Sequence, residues 1–133
     1  AFTSNVDRTA RNPNLMVWHR RLYLIDHGAA MYFHHDWATA GEACEKPFVL
    51  IRDQVLLPFA STIAEVDAEL AARLPDAEIE RIVALVPDSW LVDEPAFDNP
   101  VAYRQAYVDY LKRRLQARAA FVQEAIRAHA AHV

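Results

Sequence analysis

Three residues near the start of the chain carry oxygen ligands at suggestive intervals: Asp7, Asn14 and Asp26. Between the last two lie two short apolar runs, Leu15-Met16-Val17 and Leu22-Tyr23-Leu24-Ile25, separated by a basic stretch containing Arg20 and Arg21. If the chain folds back as a hairpin between Val17 and Leu22, Asn14 and Asp26 come to the same end of it. Carboxylate and carboxamide oxygens are hard ligands that suit magnesium, and phosphoryl transfer asks a protein mainly to position reactants and neutralise phosphate charge. In that chemistry Asp26 binds the metal directly. Asn14 gives a neutral oxygen to the same ion or a second one, and Asp7 orients an acceptor hydroxyl and takes its proton.

The order of these residues resembles the catalytic loop and metal-binding segment of protein-kinase-like folds, in which an Asp precedes an Asn and an Asp-Phe-Gly follows a hairpin. Here the second motif is Asp26-His27-Gly28, with His27 in place of the aromatic. The Asp7-Arg8 pair is closer to the phosphatidylinositol-kinase-like and HipA-like branches. Asn5-x-Asp7, Arg11-Asn12-Pro13-Asn14, Leu24-Ile25-Asp26-His27-Gly28-Ala29-Ala30 and Tyr32-Phe33-His34-His35 most resemble the bacterial HipA-like kinase family. The resemblance implies the C-terminal lobe portion of a protein-kinase-like fold, with ATP and magnesium as cofactors. It further implies transfer of the γ-phosphoryl group to a Ser or Thr hydroxyl of a protein, with a small-molecule or lipid hydroxyl as the other option. Asp7 is then the catalytic residue. Arg8, Arg11 and His27 are nucleotide contacts, the two arginines offering forked donors that match phosphate oxygens.

Spacing and register disagree about the metal-binding Asn. Five residues after Asp7 comes Asn12, whereas the apolar strand expected straight after this Asn follows Asn14. Asn14 is preferred because Pro13 would interrupt a strand beginning after Asn12, and Asn12 stays as the second choice. Other parts of a kinase are missing. The glycines are Gly28 and Gly41 and the lysines Lys46 and Lys112, which leaves no Gly-rich phosphate loop and no strand with an ATP-contacting Lys. The chain therefore reads as the C-terminal part of a longer kinase, inactive alone.

Composition fits an ordinary globular chain: 133 residues, 53% hydrophobic and 24% charged, enough for one domain with a core. A formal charge of −4 gives no general attraction to nucleic acid or anionic lipid, although Arg8, Arg11, Arg20 and Arg21 form a local basic set. Cys44 is alone, which gives no disulfide framework and agrees with a reducing cytoplasm. Its plain reading is a small half-buried apolar residue. No run of about 18 apolar residues suggests a membrane span, and no signal pattern opens the chain.

The elements that must position the site read as a short hairpin followed by helices, a mainly α fold. Residues 5–13 are loop, and Leu15–His19 and Leu22–Ile25 form a hairpin joined at Arg20-Arg21. Gly28 permits the turn that leaves the metal site. Ala29–Trp37 reads equally as strand end or helical turn. Phe48, Ile51, Val55 and Leu56 suggest a helix ending before Pro58. Ser61 or Thr62, with Glu65, caps the next through a capping box, and Val66, Leu70 and Leu74 line its inner face until Pro75. Asp76 caps a third with Ile79, Ile82, Val83 and Val86, closed by Pro87. A short turn surrounds Trp90. Asp98-Asn99-Pro100, a capping side chain followed by Pro at the first helical position, starts a long helix to about Ala130, with Tyr103, Tyr107, Tyr110, Leu111, Arg114, Leu115, Phe121, Val122 and Ile126 along its apolar stripe.

Two other functional readings follow from the same residues. His27, His34, His35 and Asp36 carry ligands suited to zinc or iron, as in a metal-dependent hydrolase, but without His-Glu-x-x-His spacing, and adjacent histidines on a strand point apart. The scaffold also suits a pseudokinase or protein-docking module. Trp18, Trp37 and Trp90 read as packing residues, since no basic groove accompanies them.

Overall fold

The computed structural model describes residues 1–132. The hairpin is present: β1 (Leu15–Trp18) pairs antiparallel with β2 (Arg21–Leu24), in the register Leu15↔Leu24, Met16↔Tyr23, Val17↔Leu22 and Trp18↔Arg21. The turn falls one residue earlier than the sequence suggests. His19 and Arg20, at φ 48 and 61, form the two-residue connection. Two left-handed central residues give a turn whose twist matches that of the flanking strands, and this leaves Arg21 free to pair with Trp18.

Beyond the hairpin the chain is mainly helical. The undecided segment after Gly28 becomes a 3₁₀ turn, Tyr32–His35, running into α1 (Trp37–Ala43). The helix expected over Phe48–Leu56 is instead two 3₁₀ turns, Val49–Asp53 and Leu57–Phe59. The cause is tertiary: Gln54 adopts an extended conformation and bridges Thr9, and the Val55 amide donates to the Arg8 carbonyl oxygen at 2.9 Å. A strand-like contact with the Asp7 loop thus replaces continued helix.

Helices α2 (Ile63–Ala72) and α3 (Asp76–Val83) lie where the periodicity places them, but neither has a side-chain cap. Thr62 precedes α2 with only its backbone carbonyl engaged, accepting from the Glu65 and Val66 amides, so no capping box forms. Pro75, not Asp76, holds the cap position of α3. A single 3₁₀ turn, Asp88–Trp90, follows.

The long terminal helix is two helices, α4 (Pro100–Gln116) and α5 (Arg118–Ala130), separated at Ala117. Its start is as expected: Asn99 Oδ1 accepts from the Ala102 amide at 3.0 Å and Pro100 is the first helical residue. The break contains no Gly or Pro. It is explained by the two hydrophobic clusters that the halves serve. Val108, Tyr110 and Leu111 of α4 join Ala40, Cys44, Ile79 and Val83 in one, while Phe121, Ala125 and Ala128 of α5 join Phe48, Ile51 and Leu57 in the other.

Arg114 stands at the junction and is 1% exposed. It donates to the carbonyl oxygens of Cys44 at 3.1 Å, Lys46 at 2.5 Å and Ala1 at 3.3 Å, and its guanidinium lies 4.6 Å from the centre of the Phe121 ring. It therefore binds the end of α1 to the α4–α5 junction. Cys44 beside it is fully buried, deeper than its half-buried reading. An aromatic cluster extends the first core, with Phe33 stacked on Tyr110 at 3.4 Å between ring centroids.

Candidate functional site

The loop before the hairpin folds around Asp7. Asn5 Oδ1 accepts from the Asp7 amide at 3.0 Å, a short Asx-type turn that holds the loop. Asn12 Nδ2 donates to Asp7 Oδ2 at 2.7 Å. Asn14 Nδ2 donates to the Asp7 carbonyl oxygen at 2.8 Å and to Oδ2 at 3.3 Å. Both Asn residues weighed as metal ligands thus converge on one carboxylate oxygen. Since each uses its nitrogen for that purpose, each keeps its side-chain carbonyl oxygen for another partner. Among the described residues, Asp7 Oδ1 accepts no hydrogen bond.

The hairpin does bring its two ends together. The Ile25 amide donates to the Asn14 carbonyl oxygen at 3.0 Å, which places Asp26 one residue beyond the closing pair. Asn14 and Asp26 both have left-handed backbones, at φ 47 and 50, the conformation that Asn and Asp tolerate best after Gly. The Asp26 carboxylate is exposed, with Oδ1 3.4 Å from the Gly28 amide.

Arg8 and His27, expected among the nucleotide contacts, meet each other. Arg8 Nη1 donates to the Asn14 carbonyl oxygen at 2.6 Å, and Nη2 lies 3.2 Å from His27 Nδ1. A guanidinium can only donate, so Nδ1 is the acceptor in this pair. Arg8 is 6% exposed. Its neighbour Arg11 is exposed, as a solvated loop arginine would be.

The histidines after Gly28 do not point apart, because they lie on a 3₁₀ turn and not a strand. His34 Nε2 and His35 Nε2 are 3.2 Å apart, and His34 Nδ1 is 3.2 Å from the Tyr107 hydroxyl, which in turn meets the Tyr103 hydroxyl at 3.4 Å. Burial, then the adjacent His35, hold His34 below the usual imidazole range, with Glu94 opposing. Burial and the bond to Tyr103 keep the Tyr107 hydroxyl protonated well above the usual phenol range. His27 belongs to Arg8 instead. Among the described residues no group of three or more His, Cys, Asp or Glu side chains gathers as a metal centre, so the hydrolase reading gains no ligand set.

The loop signal in the sequence located Asp7, Asn12, Asn14 and Asp26. The burial of Arg8 had no local signal: its side chain meets His27, 19 positions on, and its carbonyl oxygen accepts from the Val55 amide. Comparison of the chain with protein-family models, with curated proteins and with solved structures returns no match. Among the described residues no helix is long and apolar enough to cross a membrane.

Proposed function

We propose that the chain is the C-terminal lobe portion of a HipA-like kinase, transferring the ATP γ-phosphoryl group to a hydroxyl, with a protein Ser or Thr as the favoured acceptor. The supporting observation is the convergence of Asn12 and Asn14 on Asp7 while the hairpin carries Asp26 back to the Asn14 backbone. The donor set fits magnesium: an exposed Asp26 carboxylate and the carboxamide oxygens of Asn14 or Asn12, all hard oxygens, with the two Asn nitrogens already used on Asp7. When bound, magnesium neutralises phosphate charge.

Asp7 orients the acceptor hydroxyl through its unengaged Oδ1 and takes up the proton as the new oxygen–phosphorus bond forms. The bond from the γ-phosphorus to the bridging oxygen breaks, and ADP leaves. The two Asn donors hold the carboxylate in place for this step. Arg11, on the exposed side of the loop, is the candidate contact to the nucleotide phosphates. Arg8 and His27 brace Asn14 from behind. This chemistry belongs in the cytoplasm, where ATP and magnesium are plentiful. Magnesium-dependent ATP binding by the full-length protein tests the proposal.

A docking role without catalysis rests on a separate observation. The hairpin exposes apolar side chains on both faces, with Val17 and Leu22 on one, and Met16, Trp18 and Tyr23 on the other. A two-stranded ribbon of this kind is marginal alone and gains stability when covered. A full-length protein that binds a partner through the hairpin but never binds ATP would favour this reading.

A further inference from the structure

Arg8 presents an electrostatic problem. It is a guanidinium 6% exposed, and among the described residues none of the ion pairs includes it. Its bonds to the Asn14 carbonyl oxygen and His27 Nδ1 satisfy donors but leave the charge uncompensated. A buried, unpaired charge is costly, and proteins normally place a counter-charge beside it.

The surroundings show where that counter-charge belongs. Arg8 lines a cavity of about 500 Å³ between the Asp7 loop and the 3₁₀ turn Val49–Asp53. Among the described residues no Asp or Glu lines it. Two of its polar walls are carboxamides whose oxygens are already fixed by backbone amides: Asn5 Oδ1 by Asp7, and Gln54 Oε1 by Leu56 at 2.6 Å. What remains on each is an NH2 group with no acceptor among the described residues. His27 also lines the cavity, and Phe48 and Ile51 supply a low-dielectric wall. The cavity therefore combines the buried Arg8 guanidinium with two carboxamide NH2 groups that have no protein acceptor among the described residues, and no acid.

We propose that this cavity is an oxyanion site for a phosphate group, held by Arg8 with the Asn5 and Gln54 amides. Asp7, Asn12, Asn14 and Asp26 do not line it, while Arg8 and His27, which brace Asn14, join it to them. Through Arg8 Nη1 the bound anion reaches the Asn14 backbone, and occupancy stiffens the loop that carries Asp7.

Thermal unfolding of the full chain in inorganic phosphate, against sodium chloride at equal ionic strength, tests the site. At about 10 mM phosphate the Tm rises by about 5 °C over the chloride control, as specific binding to the native state requires. N-acetyl-O-phosphoserine amide is the second probe, and the larger shift of the two distinguishes free phosphate from a phosphorylated side chain as the ligand. Gln54→Glu is the decisive variant. It keeps the oxygen that bonds Leu56 and places a carboxylate in the cavity, so it raises the Tm without phosphate and abolishes the response to phosphate. Arg8→Met also abolishes the response; if it fails to fold, Gln54→Glu still decides. A wild-type Tm that phosphate moves no further than chloride overturns the site, as does a Gln54→Glu variant that responds like wild type.

Discussion

Asn14 donates its side-chain amide to the Asp7 carbonyl oxygen at 2.8 Å and to the Asp7 carboxylate at 3.3 Å, so two residues seven positions apart lock the loop before the hairpin. The same Asn14 accepts through its backbone oxygen from Ile25, just past the end of β2, and from Arg8. One residue thereby links the loop, the hairpin and the buried arginine. Loss of its side chain would leave the Asp7 carboxylate held by Asn12 alone, while keeping the backbone bond between Ile25 and Asn14.

Arg114 is expected to be the most sensitive position outside the site. It serves carbonyl oxygens of Cys44, Lys46 and Ala1 from a place 1% exposed. Arg114→Met keeps much of the volume but leaves those oxygens unsatisfied, at a cost of about 3 kcal/mol in unfolding free energy. Urea denaturation measures it, and a loss well under about 1 kcal/mol would show that water replaces the guanidinium.

Gly41 lies inside α1 without a positive φ, and a Cβ added there would meet Arg113 Nη1 at 3.5 Å, an ordinary contact. Gly41→Ala should therefore stabilise the fold by about 0.5–1 kcal/mol through the lower entropy of the unfolded chain. A lower Tm for the variant would mean that α1 needs the closer approach to α4.

His34 ties stability to pH. Its folded pKa is depressed by burial and then by His35, with Glu94 opposing, so the unfolded chain binds the proton more readily. The stability it contributes is fully present above the ordinary imidazole pKa of about 6.5 and is lost as pH falls through the lower folded value. Tm measured from about pH 7.5 down to about pH 5 should fall less steeply in His34→Gln than in wild type. Equal slopes would assign the acid sensitivity to other groups.

The legible parts of the fold were those set by local chemistry. Alternation marked β1 and β2, and Asn99-Pro100 marked the start of α4 because a cap and a fixed φ act within one turn. What was hidden came from distant partners. Gln54 and Val55 leave helical geometry because they pair with Thr9 and Arg8. Ala117 breaks an otherwise good helix because its two halves serve different clusters. At the candidate site, Asp7, Asn12, Asn14 and Asp26 stood out by type and order, while the packing of Arg8 involves His27 and Val55, distant in the chain.

The residues proposed for phosphotransfer divide into two roles that separate experimentally. ATP binding by the full-length protein, titrated with and without magnesium in wild type, Asp26→Asn and Asp7→Asn, tests this most directly. Wild type should bind ATP in a magnesium-dependent manner. Asp26→Asn should weaken that binding by about 10-fold or more, and Asp7→Asn should retain it while losing phosphoryl transfer. ATP binding that is absent from wild type, or indifferent to both magnesium and Asp26, would contradict the assignment.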